Sequence, residues 1–244
     1  MRTLVIGDIH GGLKALKQLL QRAGVTPDDV LIFLGDYVDG WSESALVIRF
    51  LMEFSTTHTC HFIKGNHDAW CENWLRTGQV LTNWYNHGGE ETIASYATLS
   101  EEEKANHLKF FEAMDMYYED DQNRLFVHAG FVSLHGPARE YTETNLFYDR
   151  TLWELALSFD RNIPRNSLFY PKRLKLFKEI YIGHTPTINY NSFEPIQAGN
   201  VWNLDTGAAF HGKLSCMDIA TKAVFQSDVV MELYPNERGR NKHR

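Results

Sequence analysis

Three apolar runs near the start of this chain stop at glycine and give way at once to metal-binding side chains. They are Leu4-Val5-Ile6-Gly7-Asp8-Ile9-His10, Val30-Leu31-Ile32-Phe33-Leu34-Gly35-Asp36-Tyr37-Val38-Asp39-Gly40, and Cys60-His61-Phe62-Ile63-Lys64-Gly65-Asn66-His67-Asp68. Two later runs end in histidine, Leu125-Phe126-Val127-His128 and Ile180-Tyr181-Ile182-Gly183-His184. An apolar run that stops at Gly-Asp reads as a buried strand meeting a loop. In α/β sheets, ligands bind at such strand ends.

The donor types suggest a pair of cations. Asp8 and His10 stand two residues apart on an extended segment, so their side chains face the same way. Carboxylate with imidazole suits Mn²⁺, Fe or Zn²⁺, whereas Ca²⁺ prefers oxygen alone. The two oxygens of Asp36 can bridge two cations, which two-metal hydrolases hold about 3.5–4 Å apart. Asn66 adds a neutral oxygen, and His128 with His184 can complete the second site. Such a pair neutralises phosphoryl oxygens and lowers the pKa of a shared water for in-line attack. A departing alkoxide needs a proton. His67, paired with Asp39, can stay protonated and supply it. Singly, each block has an ordinary explanation: Asp in a turn, Asn-His-Asp as a helix cap, a histidine in a core. Independent explanations do not account for five blocks with a donor at every strand end.

The elements that must position these residues follow from the pattern. Residues 3–6 read as a strand, and Leu13, Leu16, Leu19, Leu20 and Ala23 as a helix face closed by Gly24. A second strand covers 30–34, a helix capped by Ser42 runs to about Phe54, and a third strand covers 59–63. This β-α-β-α-β order predicts a right-handed, mainly parallel sheet. Residues 68–115 read as helical, with a Ser100–Glu103 capping box for a helix ending near Met114 and a Gly88-Gly89 loop between. Residues 116–119 and 124–128 read as a hairpin. Residues 131–175 are irregular except for a helix near 152–159. Strands follow at 179–182, 201–204, 213–219 and 223–227.

Bulk properties fit an ordinary soluble globular protein. The 244 residues are 43% hydrophobic and 23% charged, enough for one domain with its own core. That domain is expected over 1–234, with a basic, disordered tail over 235–244. Cys60, Cys71 and Cys216 are scattered and odd in number, which indicates a reducing compartment. The net charge of −7 argues against a nucleic-acid polymer as partner. No run approaches the roughly 18 apolar residues of a membrane span, and no leader precedes the first motif, so the expected location is the cytoplasm.

Together the blocks Gly7-Asp8-Ile9-His10-Gly11, Gly35-Asp36-Tyr37-Val38-Asp39, Gly65-Asn66-His67-Asp68, His128-Ala129-Gly130 and Gly183-His184-Thr185 resemble the metallophosphoesterase (calcineurin-like) superfamily. Within it they resemble the PPP-type serine/threonine phosphatases. The Gly88-Gly89-Glu90-Glu91-Thr92 loop and Asn203-Leu204-Asp205-Thr206-Gly207 look like the bacterial and phage branch, which also resembles the symmetric diadenosine tetraphosphate hydrolases. The resemblance implies an α/β fold of two central β-sheets sandwiched by helices, in four layers α/β/β/α. It implies that Asp8, His10 and Asp36 hold one divalent metal and that Asp36, Asn66, His128 and His184 hold the other, with Mn²⁺ foremost. His67 is then the general acid, oriented by Asp39.

One departure bears on substrate. Where the family pattern continues Asp-Arg-Gly, with the arginine gripping phosphate, this chain reads Asp39-Gly40-Trp41. A guanidinium has no substitute in glycine. Arg139, Arg150, Arg161, Arg165 and Arg173 lie in the irregular segment, and Arg150, with Asn66, is the substrate-binding candidate. Trp41 either stacks on a substrate ring or packs its own loop. The leading expectation is a phosphomonoesterase acting on phosphorylated protein or small phosphoesters. The alternatives are symmetric hydrolysis of dinucleoside polyphosphates and a non-catalytic binding protein on a phosphatase scaffold.

Overall fold

Alternation along the first strands determines the layers. A computed structural model describes residues 1–243, with side chains through Asn241. In β1 (Thr3–Ile6) and β2 (Val30–Phe33), Leu4, Ile6, Leu31 and Phe33 point one way, and Val5 and Ile32 the other. Both sets are buried, as expected for parallel strands covered on both faces. The first set packs beneath helices α1 (Leu13–Ala23) and α2 (Ser44–Phe54). The second set meets Phe126 and Tyr181 from a second sheet, and Leu204 just past the end of one of that sheet's strands.

β3 (Thr59–Phe62) extends the parallel set β1-β2-β3. The end of the chain completes this sheet: β9 (Lys213–Asp218) lies antiparallel to β1, and β10 (Val224–Val229) antiparallel to β9. The order is β10-β9-β1-β2-β3. The sheet is therefore mixed; its parallel part is the one the opening β-α-β-α-β pattern foretells. The second sheet has β5 (Arg124–Val127), β6 (Glu179–Ile182) and β8 (Val201–Asn203) in parallel. β4 (Tyr117–Glu119) and β7 (Ile196–Ala198) flank them antiparallel, giving β4-β5-β6-β8-β7. Leu125, Val127, Ile180 and Ile182 face outward onto Leu152, Trp153 and Ala156 of the helix Thr151–Ser158. The architecture is the expected four-layer α/β/β/α sandwich.

Details differ from the sequence reading where long-range contacts decide. Helix α2 begins at Ser44, not after Ser42, because Ser42 donates its N–H and hydroxyl to Glu237 (3.0 and 2.7 Å). The tail expected to be disordered from Pro235 is instead packed through Asn241. Trp41 stacks on Tyr234 at 5.2 Å, and the Arg240 N–H donates to the Ala209 carbonyl at 2.9 Å. Few apolar side chains are needed there, since hydrogen bonds to the Gly40–Glu43 loop hold the segment. Trp41 itself is fully buried, its indole N–H donating to the Ala208 carbonyl at 2.7 Å, so it is no platform for substrate. Among the described residues no helix is long and apolar enough to cross a membrane, and Cys60, Cys71 and Cys216 are free thiols.

Candidate metal centre

Every donor singled out above lies just past the C-terminal end of a parallel strand. Asp8 and His10 follow β1, Asp36 and Asp39 follow β2, and Asn66 and His67 open helix α3 (Asn66–Thr77) after β3. His128 follows β5 and His184 follows β6. Because both sheets present these ends on the same side, residues from five segments converge. The backbone is bent to do so: His10, Asp36, Asp39 and His184 have φ of 52°, 54°, 74° and 67°. Non-glycine residues rarely adopt that region, and such strain is held only where the surroundings over-determine it.

Much of that holding comes from Asp68. Its carboxylate accepts the N–H groups of Asp36 (2.7 Å), Tyr37 (2.9 Å) and Gly65 (2.8 Å), tying the loops after β2 and β3 to the first turn of α3. Two ligand candidates are oriented by their non-ligating nitrogen. His128 Nδ1 lies 2.7 Å from the Leu34 carbonyl, and His10 Nδ1 lies 2.9 Å from that of Asp39. Both rings thereby turn Nε2 inward, the usual arrangement of a metal-binding histidine.

Two groups of donors result. Donor atoms of His10, Asp36 and His67 lie within 4.8 Å of one another, and so do those of Asp36, His128 and His184. Asp36 belongs to both, which is the position a bridging carboxylate needs. Its Oδ2 is 3.7 Å from His10 Nε2 and 3.4 Å from His128 Nε2. Asn66 Oδ1 sits 3.3 Å from His128 Nε2 and 2.9 Å from His184 Nδ1. Asp8 lies 4.0 Å from His10 Nε2, and its Oδ1 is buried with no hydrogen-bond partner among the described residues. An orphaned buried carboxylate oxygen is costly unless something pairs with it. With imidazoles, carboxylates and an amide oxygen around it, the set fits two divalent cations of the Mn²⁺, Fe or Zn²⁺ type. The first group contains His67 where the resemblance implies Asp8.

His67 and Asp39 meet at 2.6 Å, Nδ1 to Oδ2. Asp39 is fully buried and also accepts from Trp84 Nε1 (2.7 Å) and the Thr92 hydroxyl (2.6 Å). Burial pushes its carboxyl up to about 8 despite those bonds, and burial likewise pushes the His67 ring well below its ordinary value. Gly88 makes this closure possible. It has φ of 107°, and a Cβ there would lie 2.6 Å from the Gly40 nitrogen. The segment 85–89 is a kink between two helices, with non-helical backbone at His87 and Gly88, and it presses onto the Asp39 loop.

Among the described residues no lysine or arginine is ion-paired with the carboxylates of the centre. Burial, with Asp205 and Asp36 close by, raises the Asp8 carboxyl well above its ordinary value. Burial raises Asp205 to about 6. At Asp36 burial acts the same way, but the His128, His67 and His10 rings outweigh it and hold the carboxyl low. Burial opposes charge on His128 too, yet Asp36 lifts that ring to about 10.

The centre opens into a cleft of about 300 Å³. Trp70, Tyr148 and Phe210 supply aromatic walls, and Arg150, His87 and Arg240 supply polar ones. Of the five arginines proposed from sequence, only Arg150 lines it. Arg173 caps the Phe131 carbonyl (2.8 Å), Arg165 those of Lys175 and Phe177, and Arg161 that of Gln197. Asp205 was legible in principle, since it too follows an apolar strand end. Thr92 stands in the Gly88–Thr92 stretch already singled out, whereas Trp84 and Arg240 carry no local signal and arrive through tertiary packing.

Comparison with known proteins agrees with this geometry. A model of the calcineurin-like phosphoesterases matches residues 1–210. An asymmetrical bis(5'-nucleosyl)-tetraphosphatase, PrpE, of Oceanobacillus iheyensis is 27% identical over 230 residues, 88% of this chain and 87% of its own. The protein of that name from Geobacillus thermodenitrificans is 28% identical, with 87% and 88% covered. Among solved structures, a candidate diadenosine tetraphosphatase superposes with a TM-score of 0.63 at 16% identity, covering 92% of both chains. A protein serine/threonine phosphatase of Saccharomyces cerevisiae gives 0.61 at 15% identity, covering 93% of this chain and 80% of its own.

Proposed function

The chain belongs to the calcineurin-like phosphoesterase family, and on that premise we propose that it hydrolyses dinucleoside polyphosphates, with His67 as proton donor. The supporting observation is the cleft: metal donors on its floor, cations on its sides and the rings of Trp70, Tyr148 and Phe210 around it. Such walls suit a polyanion that carries flat bases. The PrpE relatives, which align over most of both chains, support the same substrate class. They move the preference from the phosphoprotein expected at first to a phosphoanhydride, and from symmetric to asymmetric cleavage.

Asp8, His10 and Asp36 would hold one cation, and Asp36, Asn66, His128 and His184 the other. When bound, the pair supplies charge neutralisation at phosphoryl oxygens and a water of lowered pKa. The protein's own part is proton supply. The Asp39–His67 pair carries a proton at neutral pH by the raised Asp39 value. On whichever side of the 2.6 Å bond that proton sits, Nδ1 is engaged and Nε2 keeps its hydrogen toward the leaving oxygen.

A second reading, phosphomonoester hydrolysis, is favoured by the same pair, because an alkoxide needs protonation more than a departing phosphate does. One panel separates them: Mn²⁺-loaded protein with diadenosine tetraphosphate, para-nitrophenyl phosphate and a phosphothreonine peptide. The proposal expects kcat/KM for the dinucleotide to lead, with ATP and AMP as products. Two ADP would indicate symmetric cleavage, and a leading phosphopeptide would establish the second reading. No turnover of any of the three would point to a binding protein. His67→Asn should lower phosphothreonine hydrolysis about 10²–10⁴-fold and para-nitrophenyl phosphate hydrolysis less. Equal losses would remove His67 as proton donor.

A further inference from the structure

Gly40 stands where a phosphate-gripping side chain would be expected, and the space beside it is taken by another part of the chain. With φ of 121°, Gly40 strains any L side chain, and a Cβ built there would lie 3.3 Å from Cγ of Arg240. The Arg240 stem therefore passes directly over the Asp39-Gly40 loop. Its guanidinium reaches the wall of the cleft alongside Asp36, Asn66 and His67.

The segment that delivers it is anchored independently of the guanidinium. Tyr234 stacks on Trp41 and its hydroxyl bonds the Glu43 carboxylate. The Glu237 carboxylate takes both donors of Ser42, and the Arg240 N–H takes the Ala209 carbonyl. The residue before it, Gly239, has φ of 54° and lies so close that a Cβ would be 2.7 Å from the Trp41 ring. A segment this well fastened aims its next side chain rather than leaving it to solvent.

The guanidinium itself is left over. Among the described residues it makes no ion pair or hydrogen bond, only a face contact with the Phe210 ring, 5.3 Å from Cζ to the centroid. Asp8, Asp36, Asp39 and Asp205 favour its charge from a distance, while burial works against it. An arginine stacked on a ring keeps its N–H edge free, and that fork matches two oxygens of a phosphate. Arginine also stays charged at any physiological pH.

We propose that Arg240, carried by the C-terminal segment 234–241, is a phosphate-binding residue of this cleft and takes the place left by Gly40. Arg150 and Arg240 both line the cleft, so both can approach a phosphate bound there. This assignment rests on the phosphohydrolase reading for its purpose, but not for its test.

The test is calorimetric binding of inorganic phosphate to the full-length, Mn²⁺-loaded protein, with metal content measured on each sample. Arg240→Ala is expected to weaken phosphate at least about tenfold at unchanged metal content, as for loss of a charge-assisted pair. Arg240→Lys, which retains charge without the fork, should fall in between. Glu237→Gln, which loosens the anchor without touching the cleft, should weaken phosphate less than Arg240→Ala. If Arg240→Ala disturbs metal loading, the comparison of Arg240→Lys with wild type decides. Phosphate affinity within about twofold of wild type in Arg240→Ala, or in that Arg240→Lys comparison, overturns the assignment, as does a wild type that binds no phosphate. Arg240-dependent binding in a protein that turns over no phosphoester would refute the hydrolase reading and leave this site standing.

Discussion

The two ends of the sheet sandwich treat buried charge in opposite ways. At the end where β1, β5 and β6 begin, carboxylates meet cations of the chain. Arg2 Nη2 lies 2.6 Å from Asp29, Arg124 Nε 2.6 Å from Asp120, and Lys222 Nζ 2.6 Å from Glu179. At the other end, Asp8, Asp36, Asp39, Asp68 and Asp205 are all buried, and among the described residues none is ion-paired with lysine or arginine. The contrast shows in their titration: the Arg2 bond holds the Asp29 carboxyl well below its ordinary value, while burial lifts Asp39 to about 8 and Asp205 to about 6. One end is neutralised by its own sequence. The other gathers two candidate donor clusters, whose carboxylates a pair of divalent cations would neutralise.

Breaking each end should therefore have opposite consequences. The largest effect belongs to Asp8→Asn. Phosphoester hydrolysis should fall by about 10³-fold or more as the cation site is lost. Yet the metal-free protein should melt within about 2 °C of wild type, or above it, because a repelled carboxylate has gone. A clear drop in the metal-free Tm would mean that Asp8 is already satisfied without a cation. Chelation comes next: EDTA should lower the Tm of protein loaded with Mn²⁺, and added Mn²⁺ should restore it in a concentration-dependent way.

At the opposite end, Asp29→Asn should leave kcat/KM unchanged and cost about 1–3 kcal/mol at pH 7, the scale of a charged hydrogen bond lost at a buried acceptor. The folded value of Asp29 lies below the unfolded value of about 3.9. Its contribution is thus complete above that pH and disappears as pH falls through the folded value, so denaturation curves of variant and wild type should converge in acid. A constant gap down to pH 2 would show that the effect is not the ion pair. The smallest change is expected for Lys222→Met, whose Lys222–Glu179 pair is partly solvated: about 0–1 kcal/mol.

The same contrast governs what could be read from the chain in advance. The parallel part of the first sheet, its helices and the residues gathered at the centre were legible because each motif is local (an apolar run, a glycine, a donor), whereas the division into two sheets came from the family resemblance. The hairpin 117–127 and the Ser100–Glu103 capping box were legible for the same reason, and both are present. β7 went unseen, since three residues offer little periodicity. Thr92 and Trp84, which surround Asp39, lie 53 and 45 residues away in sequence. Arg240 was hidden by a composition that suggested disorder. Nothing near Gly239 announces that Glu237 will find Ser42, because that partnership exists only once β9 and β10 have returned the chain to β1.

The Asp68 carboxylate has a consequence for hydrogen exchange. The amide protons of Asp36, Tyr37 and Gly65 all end on it, at 2.7, 2.9 and 2.8 Å, beneath buried residues. None can reach water unless α3 lifts from two loops together. Active-site loops usually occupy the labile end of a protein's exchange spectrum. In this molecule the amides of the site's floor are expected to exchange as slowly as those of the sheets, which hydrogen-exchange measurement would check.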